Sequence, residues 1–219
     1  MTEPTWRPSA TVVIPTLNAE ASLDDVLTAV EAQRHIGELD ILVIDSSSTD
    51  RTAQIVREHP GVRFHRIEQS DFGHGRTRQL GAELARGDVV AYLTQDATPE
   101  SPRWLCSLVA QLVDPEVAGV FGRQIPRPGC VPIIKYDIER VFANPPEGFY
   151  SDANSAARRA TLLGPVPYRD VNYSEDFCFA VDAVAAGLRT SYEPNAAVLH
   201  SNDIPLSEYA NRMRSEVRG

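Results

Sequence analysis

The chain has 219 residues, 42% hydrophobic and 23% charged, with a formal net charge of −9 and a pI near 5.0. That length suits a single domain with a substantial core rather than two full domains. The composition excludes disorder, and the acidic balance supplies no global basic field to hold nucleic acid. Cys106, Cys130 and Cys178 are odd in number and widely spaced. They form neither a disulfide framework nor a zinc-ligand spacing, and fit free thiols in a reducing compartment. The opening MTEPTWRPSA has no apolar signal core. No stretch approaches the roughly 18 apolar residues of a membrane span. A cytoplasmic chain is expected, with any membrane contact peripheral, at the inner face of the cell membrane.

In chain order, Ala10 to Pro15 reads as a strand, and residues 20 to 35 as a helix with Leu23, Val26, Leu27 and Val30 on one face and Ser22 or Asn18 as cap. Asp40 to Asp45 is a second strand, and Ser48-Thr49-Asp50 caps a helix reaching Glu58. A weaker strand, Val62 to Ile67, precedes the glycine-bearing loop Asp71-Phe72-Gly73-His74-Gly75 and a helix over 76 to 86 stopped by Gly87. Then come a strand at Val89 to Leu93, a helix over Pro102 to Val113 and a strand at Val117 to Gly122. Short apolar runs alternating with amphipathic segments predict βαβ units, hence an α/β fold with a mostly parallel central sheet. From Arg123 to about residue 150 prolines dominate, and a long irregular excursion over a site is expected. Beyond it the pattern predicts helices at Asn154 to Leu163 and Ser174 to Ala186, strands at Thr190 to Glu193 and Ala196 to His200, and a last helix from Pro205.

In such a sheet ligands bind beyond the carboxyl ends of the strands. The polar residues there are Pro15-Thr16-Leu17-Asn18, Asp45 to Asp50, and Thr94-Gln95-Asp96. Asp45, at a strand tip, suits the ring N–H of a base, whereas Asp50 is better explained as a cap. No P-loop and no dinucleotide fingerprint follows the first strand, and Gly73-His74-Gly75-Arg76 is a weak phosphate signal. Asp96 is open between a metal ligand and a cap for the segment after Pro99. Glu175-Asp176 is equally open, between a general base beside a like charge and acids favoured at a helix N-terminus. His200 fits a buried structural histidine as well as a ligand.

The order of PTLN, a strand ending in Asp45, FGHGRTRQLG, YLTQDATP, SDANSAARR, SED and EPNAAVLHSND resembles the inverting family 2 glycosyltransferases of the GT-A fold, nearest their bacterial rhamnosyltransferase-like branch. The resemblance covers about residues 10 to 212. It implies a single Rossmann-like three-layer sandwich, with a nucleotide-sugar-binding half over 10–122, the Pro-rich excursion over 123–150 and an acceptor and catalytic half over 151–219. Pro15, Thr16 and Asn18 then match the segment around the nucleoside, and Asp45 the carboxylate that reads a pyrimidine. Arg76 or Arg78 matches a basic group near the nucleotide, and Gln95-Asp96 the Asp-x-Asp position, with Asp96 on Mg2+ or Mn2+. Asp152 and Asn154 match the sugar or acceptor side, Asp176 the catalytic base with Glu175 beside it, and His200 a second metal ligand. The implied reaction moves a sugar, best L-rhamnose, from a dTDP- or UDP-sugar donor to a hydroxyl of a saccharide, lipid-linked or small-molecule acceptor, as in polysaccharide biosynthesis.

Two departures stand out. Gln95 replaces an acidic residue common in relatives, and the chain ends at Gly219, where relatives often continue with helices. Either the enzyme is minimal or the chain is a shortened form. A GT-A-like module that binds nucleotide sugar without turnover stays open as an alternative. A sugar-phosphate nucleotidyltransferase fits less well, because PTLNAEAS lacks a Gly-rich basic loop.

Overall fold

A computed structural model describes residues 6–201. Strands β1 (Ala10–Thr16), β2 (Leu39–Asp45), β3 (Val62–Arg66), β4 (Val89–Leu93), β5 (Thr98–Pro99), β6 (Val117–Ile125), β7 (Asn154–Arg158) and β8 (Arg189–Leu199) form an eight-stranded sheet in the order β3-β2-β1-β4-β7-β6-β8-β5. β1 to β4 pair in parallel, as do β6 and β8. β7 runs antiparallel to both β4 and β6, and β5 antiparallel to β8. All strands except β7 and β5 therefore point one way, and their carboxyl ends share an edge.

The helices are α1 (Leu23–Glu31), α2 (Thr52–Glu58), α3 (His74–Leu84), α4 (Trp104–Gln111), α5 (Pro132–Ala143), α6 (Arg159–Leu162) and α7 (Glu175–Ala185). Period-2 alternation sorts the strands' side chains into two cores. Val12, Ile14, Ile41, Val43, Ala91 and Leu93 meet α1, α2 and α4 on one face. Val13, Leu42, Ile44, Val90 and Tyr92 meet α3, α6 and α7 on the other. Strands covered on both faces read as unbroken apolar runs, which is why Ile41–Ile44 and Val89–Leu93 were conspicuous.

Four expectations need correction. Asn154–Arg158 is a strand, and only the four residues of α6 are helical after it. Its alanines favour helix locally, but the slot between β4 and β6 binds an extended chain with both faces buried, and tertiary context overrides propensity. The Pro-rich excursion contains the 12-residue α5, opened by Pro132 at a first-turn position where its missing N–H costs nothing. Third, one strand, β8, replaces the expected pair: between Gly122↔Glu193 and Gln124↔Val198 its register against β6 slips, and Pro194 sits in that irregularity. Finally, α3 starts at His74, before the expected 76, and closes at Ala85. Gly87 has a different duty: a Cβ there would lie 2.5 Å from the Ala10 carbonyl carbon. The helix expected from Pro205 lies outside the described residues. Cys106 and Cys130 are buried free thiols, and Cys178 is partly exposed.

Candidate functional site

At the tips of β1 and β2, in register as Thr16↔Asp45, the polar groups bind one another. Asp45 is 1% exposed, and its carboxylate accepts from Thr16 Oγ1 at 3.1 Å, from the Ser48 N–H at 3.0 Å and from the Ser48 hydroxyl. Asn18 takes a left-handed conformation (φ 51°), and its Oδ1 accepts from the Thr49 N–H at 3.0 Å. It thus laces the two strand-tip loops together rather than capping α1. The side chain of Ser22, at the start of α1, donates to the Gln95 carbonyl instead of capping. Asp50 accepts from the Thr52 N–H that opens α2 and from the Glu20 N–H, a helix-start role that also bridges loops. Burial opposes its charge, but these hydrogen bonds prevail and hold its pKa below the usual range.

Beyond β4, Gln95 uses both ends of its amide on the backbone of one residue, Leu17. Its Oε1 accepts from the Leu17 N–H at 2.8 Å, and its Nε2 donates to the Leu17 carbonyl at 3.2 Å. A carboxylate could only accept, so the amide in place of an acid gives a two-way clamp from the β4 tip to the β1 loop. Asp96 lies next, its Oδ1 3.4 Å from His200 Nε2, just past the end of β8. The other ring nitrogen of His200 meets Gln124 Oε1 at 2.8 Å. Burial would raise the pKa of Asp96, but the hydrogen bond and charge of His200 outweigh it and the carboxyl sits low. Arg127 donates to the Asp96 carbonyl and to Thr98 Oγ1, fixing the turn that carries Asp96. Neither Gln124 nor Arg127 was singled out in the sequence. Both belong to the stretch read as irregular, and only pairing of β6 with β8 brings them here.

A third group surrounds the start of α7. Ser174 has φ 58°, a left-handed turn that aims Glu175 and Asp176 from the first helical turn. Glu175 is buried and accepts from Arg78 Nη1 at 2.8 Å. Asp152 is 2% exposed, with Tyr168 Oη 2.5 Å and Ser155 Oγ 3.2 Å from its Oδ1, and Arg78 Nε 3.4 Å from its Oδ2. Burial, opposed by Arg78 and reinforced by Asp176, pushes the Asp152 carboxyl up to about 7. Asp176 keeps partial exposure; burial and then the Glu175 charge raise its pKa. Arg78 is therefore engaged as an internal ion-pair partner of Glu175 and Asp152. Arg76 is exposed and forks onto Asp170 at 2.8 Å.

Asn154 is fully buried. It accepts from Trp104 Nε1 at 2.7 Å and donates to the carbonyls of Ala196 and Arg123. With its amide so committed, it ties β7 to α4, β6 and β8. Gly75 is no phosphate cradle either: a Cβ would lie 1.9 Å from the Arg169 carbonyl oxygen, so it admits the segment that leads to α7.

Solved structures sharing this sheet and its two helical layers are GT-A glycosyltransferases, and the chain has their fold. A mannosyltransferase from Pyrobaculum calidifontis, in complex with GDP-Man and Mn2+, superposes with TM-score 0.72 at 26% identity over 97% of this chain and 62% of its own. Glucosyl-3-phosphoglycerate synthase of Mycobacterium tuberculosis superposes at 0.70 and 22% identity. The glycosyl transferase family 2 profile matches residues 11–168, and the chain belongs to that family. Within it the chain is rhamnosyltransferase-like. It is 32% identical to the O-antigen chain rhamnosyltransferase RfbN of Salmonella typhimurium, over 91% of this chain and 68% of that protein. It is 31% identical to WbaN of Salmonella anatum, likewise an O-antigen chain rhamnosyltransferase, over 92% and 69%. Among the described residues no helix is long and apolar enough to cross a membrane.

Proposed function

We propose that this chain transfers a sugar, with L-rhamnose the leading candidate, from a dTDP- or UDP-activated donor to a hydroxyl of a growing saccharide, with inversion and with a divalent cation. The names of its Salmonella relatives support the sugar and the saccharide acceptor. The observation that carries the chemistry is the Asp96–His200 pair at the strand tips.

With Nδ1 against Gln124 Oε1 at 2.8 Å, His200 turns its Nε2 toward an Asp96 carboxylate oxygen 3.4 Å away. Two acceptors so placed need a proton or a cation between them, and a carboxylate with an imidazole suits Mn2+ or Mg2+. Among the described residues no group of three or more His, Cys, Asp or Glu forms a metal cluster, so phosphate and water would complete the shell. A divalent ion held there supplies electrostatic stabilisation of a diphosphate leaving group. The rest is the work of the chain. The Thr16–Asp45–Ser48 lattice holds the nucleoside edge of the site in one geometry, and Gln95 keeps the β1 loop against the β4 tip. Asp176, with its raised affinity for a proton, takes one from the acceptor hydroxyl as that oxygen attacks the anomeric carbon opposite the diphosphate.

A thermal-shift panel of dTDP-rhamnose, UDP-glucose, GDP-mannose and free nucleotides, each with and without Mn2+, tests the reading, because binding to the folded state raises the melting temperature. A metal-dependent shift is expected, largest for dTDP-rhamnose. A flat panel, or shifts indifferent to EDTA, would sink it.

A further inference from the structure

Three carboxylates crowd the start of α7, yet among the described residues a single guanidinium is paired with them. Arg78 reaches out of α3 with 7% of its side chain exposed. It lies 2.8 Å from Glu175 Oε1 and 3.4 Å from Asp152 Oδ2, and it also donates to the His74 carbonyl. Glu175 and Asp152 are both buried, so each would be a severe electrostatic cost without that charge. Asp176 differs from both. Its Oδ1 accepts from the Phe177 N–H at 2.8 Å, and it alone of the three is partly open to solvent.

We propose that Arg78 is the positioning residue of the reaction centre: it holds Glu175 and Asp152 back in the protein interior so that Asp176 alone presents a free carboxylate oxygen. This rests on the reading of Asp176 as the base. The crowding is asymmetric because Arg78 contacts the two buried acids and reaches the third only through its charge. Arg78 Nε and Asp152 Oδ2 are both buried without a hydrogen-bond partner, so the two face each other as an ion pair rather than a locked bond. Such a pair acts by field more than by contact, and its reach extends to Asp176. The groups facing Asp176 are then Glu175 on its own helix, Arg78 on α3 and Asp152 ahead of β7. Those around Asp152 are Arg78, Ser155 and Tyr168, with Tyr92 and Tyr150 nearby, and His74 approaches Glu175 at 3.9 Å.

The sign of the effect follows. Removing the guanidinium strips Asp176 of a stabilising positive charge and leaves the like charge of Glu175, so the base holds its proton to higher pH. For Arg78→Met we expect the acidic limb of kcat to move up by about one pH unit or more and kcat at neutral pH to fall at least about tenfold. The Kd of the nucleotide-sugar donor should change by less than about threefold. Arg78→Lys should restore part of the limb. Since Arg78→Met alone strands two buried acids, Arg78→Met/Asp152→Asn relieves one of them while keeping the Glu175 charge beside Asp176, and its Asp176 limb should still lie above wild type. The same displacement is readable without turnover from the 13Cγ titration of Asp176, assigned by its loss in Asp176→Asn. Weakened donor binding with the titration of Asp176 unmoved would overturn the proposal and make Arg78 a donor ligand. An unmoved titration with unchanged donor binding would make it a packing residue only. A moved titration in a protein whose wild type transfers no sugar would overturn the proposed function and leave the positioning of Asp176 standing.

Discussion

The two ends of the carboxyl-terminal edge hold polar residues in opposite ways. Where β1 and β2 finish, Asn18, Asp45 and Asp50 accept from neutral donors of Thr16, Ser48, Thr49, Thr52 and Glu20, in a lattice of short-range hydrogen bonds between adjacent loops. Where β7 and α7 begin, charges are set against charges: Asp152, Glu175 and Asp176 surround Arg78, and two buried polar atoms there go unpaired. Dense short-range hydrogen bonds make a rigid receptor edge, although the buried Ser46 hydroxyl goes unpaired there. Crowded carboxylates store electrostatic work that shifts proton affinity, the property a general base needs. The fold thus separates recognition from proton transfer by giving each its own means of satisfying buried polarity.

Substitutions on either side can break that contrast. The largest effect is expected from Asp176→Asn, which should lower kcat by about a hundred- to ten-thousand-fold while leaving the donor Kd near wild type; steady-state transfer with parallel donor titration reads both. Equal losses in rate and binding would erase the division of labour. Asp96→Asn should act from the other side, removing the metal-dependent part of the donor's thermal shift while metal-free nucleotide still binds, with transfer down by about a hundredfold or more. Asn154→Ala tests a residue that looked functional in sequence and is structural in the fold. It leaves the Trp104 N–H and two carbonyls without partners, so urea unfolding should show a loss of about 2–4 kcal/mol, with the donor KM little changed. The smallest effect lies far from both ends, at His59, held between Glu31 at 3.0 Å and Asp24 at 3.1 Å. Burial opposes its charge, but the two acids prevail and its pKa rises above 6.5. The folded chain therefore holds that proton more tightly than the unfolded chain. Its contribution is complete below pH 6.5 and disappears as pH climbs through the higher folded value. Its size is below about 1 kcal/mol because the acids are exposed and screened. Chemical denaturation across pH should show a shallow alkaline decline that His59→Gln removes.

How much of this was legible varies along the chain for physical reasons. From Ala10 to Gly122 the strands β1, β2, β4 and β6 contain apolar runs flanked by turn residues, and there local pattern and tertiary structure agree; the polar β3 was the weaker signal and the two-residue β5 left none. From Arg123 onward they part. β7 is drawn from alanines that would as soon be helical, β8 absorbs a proline in a bulge, and α5 begins on another proline in a stretch that read as loop. The same divide runs through the site. Asp45, Asp96 and Asp176 stood out because they end a strand or open a helix, positions visible in one dimension. Arg78 and Asn154 were marked by the family resemblance alone, and their partners in the fold, Glu175, Asp152, Trp104 and Ala196, lie tens of residues away.

By itself, then, the sequence determined the alternating architecture and the strand-tip carboxylates, since periodicity and position within an element are local properties of the chain. Only the tertiary structure decided which polar residues face a ligand and which face each other. That depends on burial and on charges converging from β4, β7, β8, α3 and α7, and a buried charge takes its meaning from the partner that the fold brings to it.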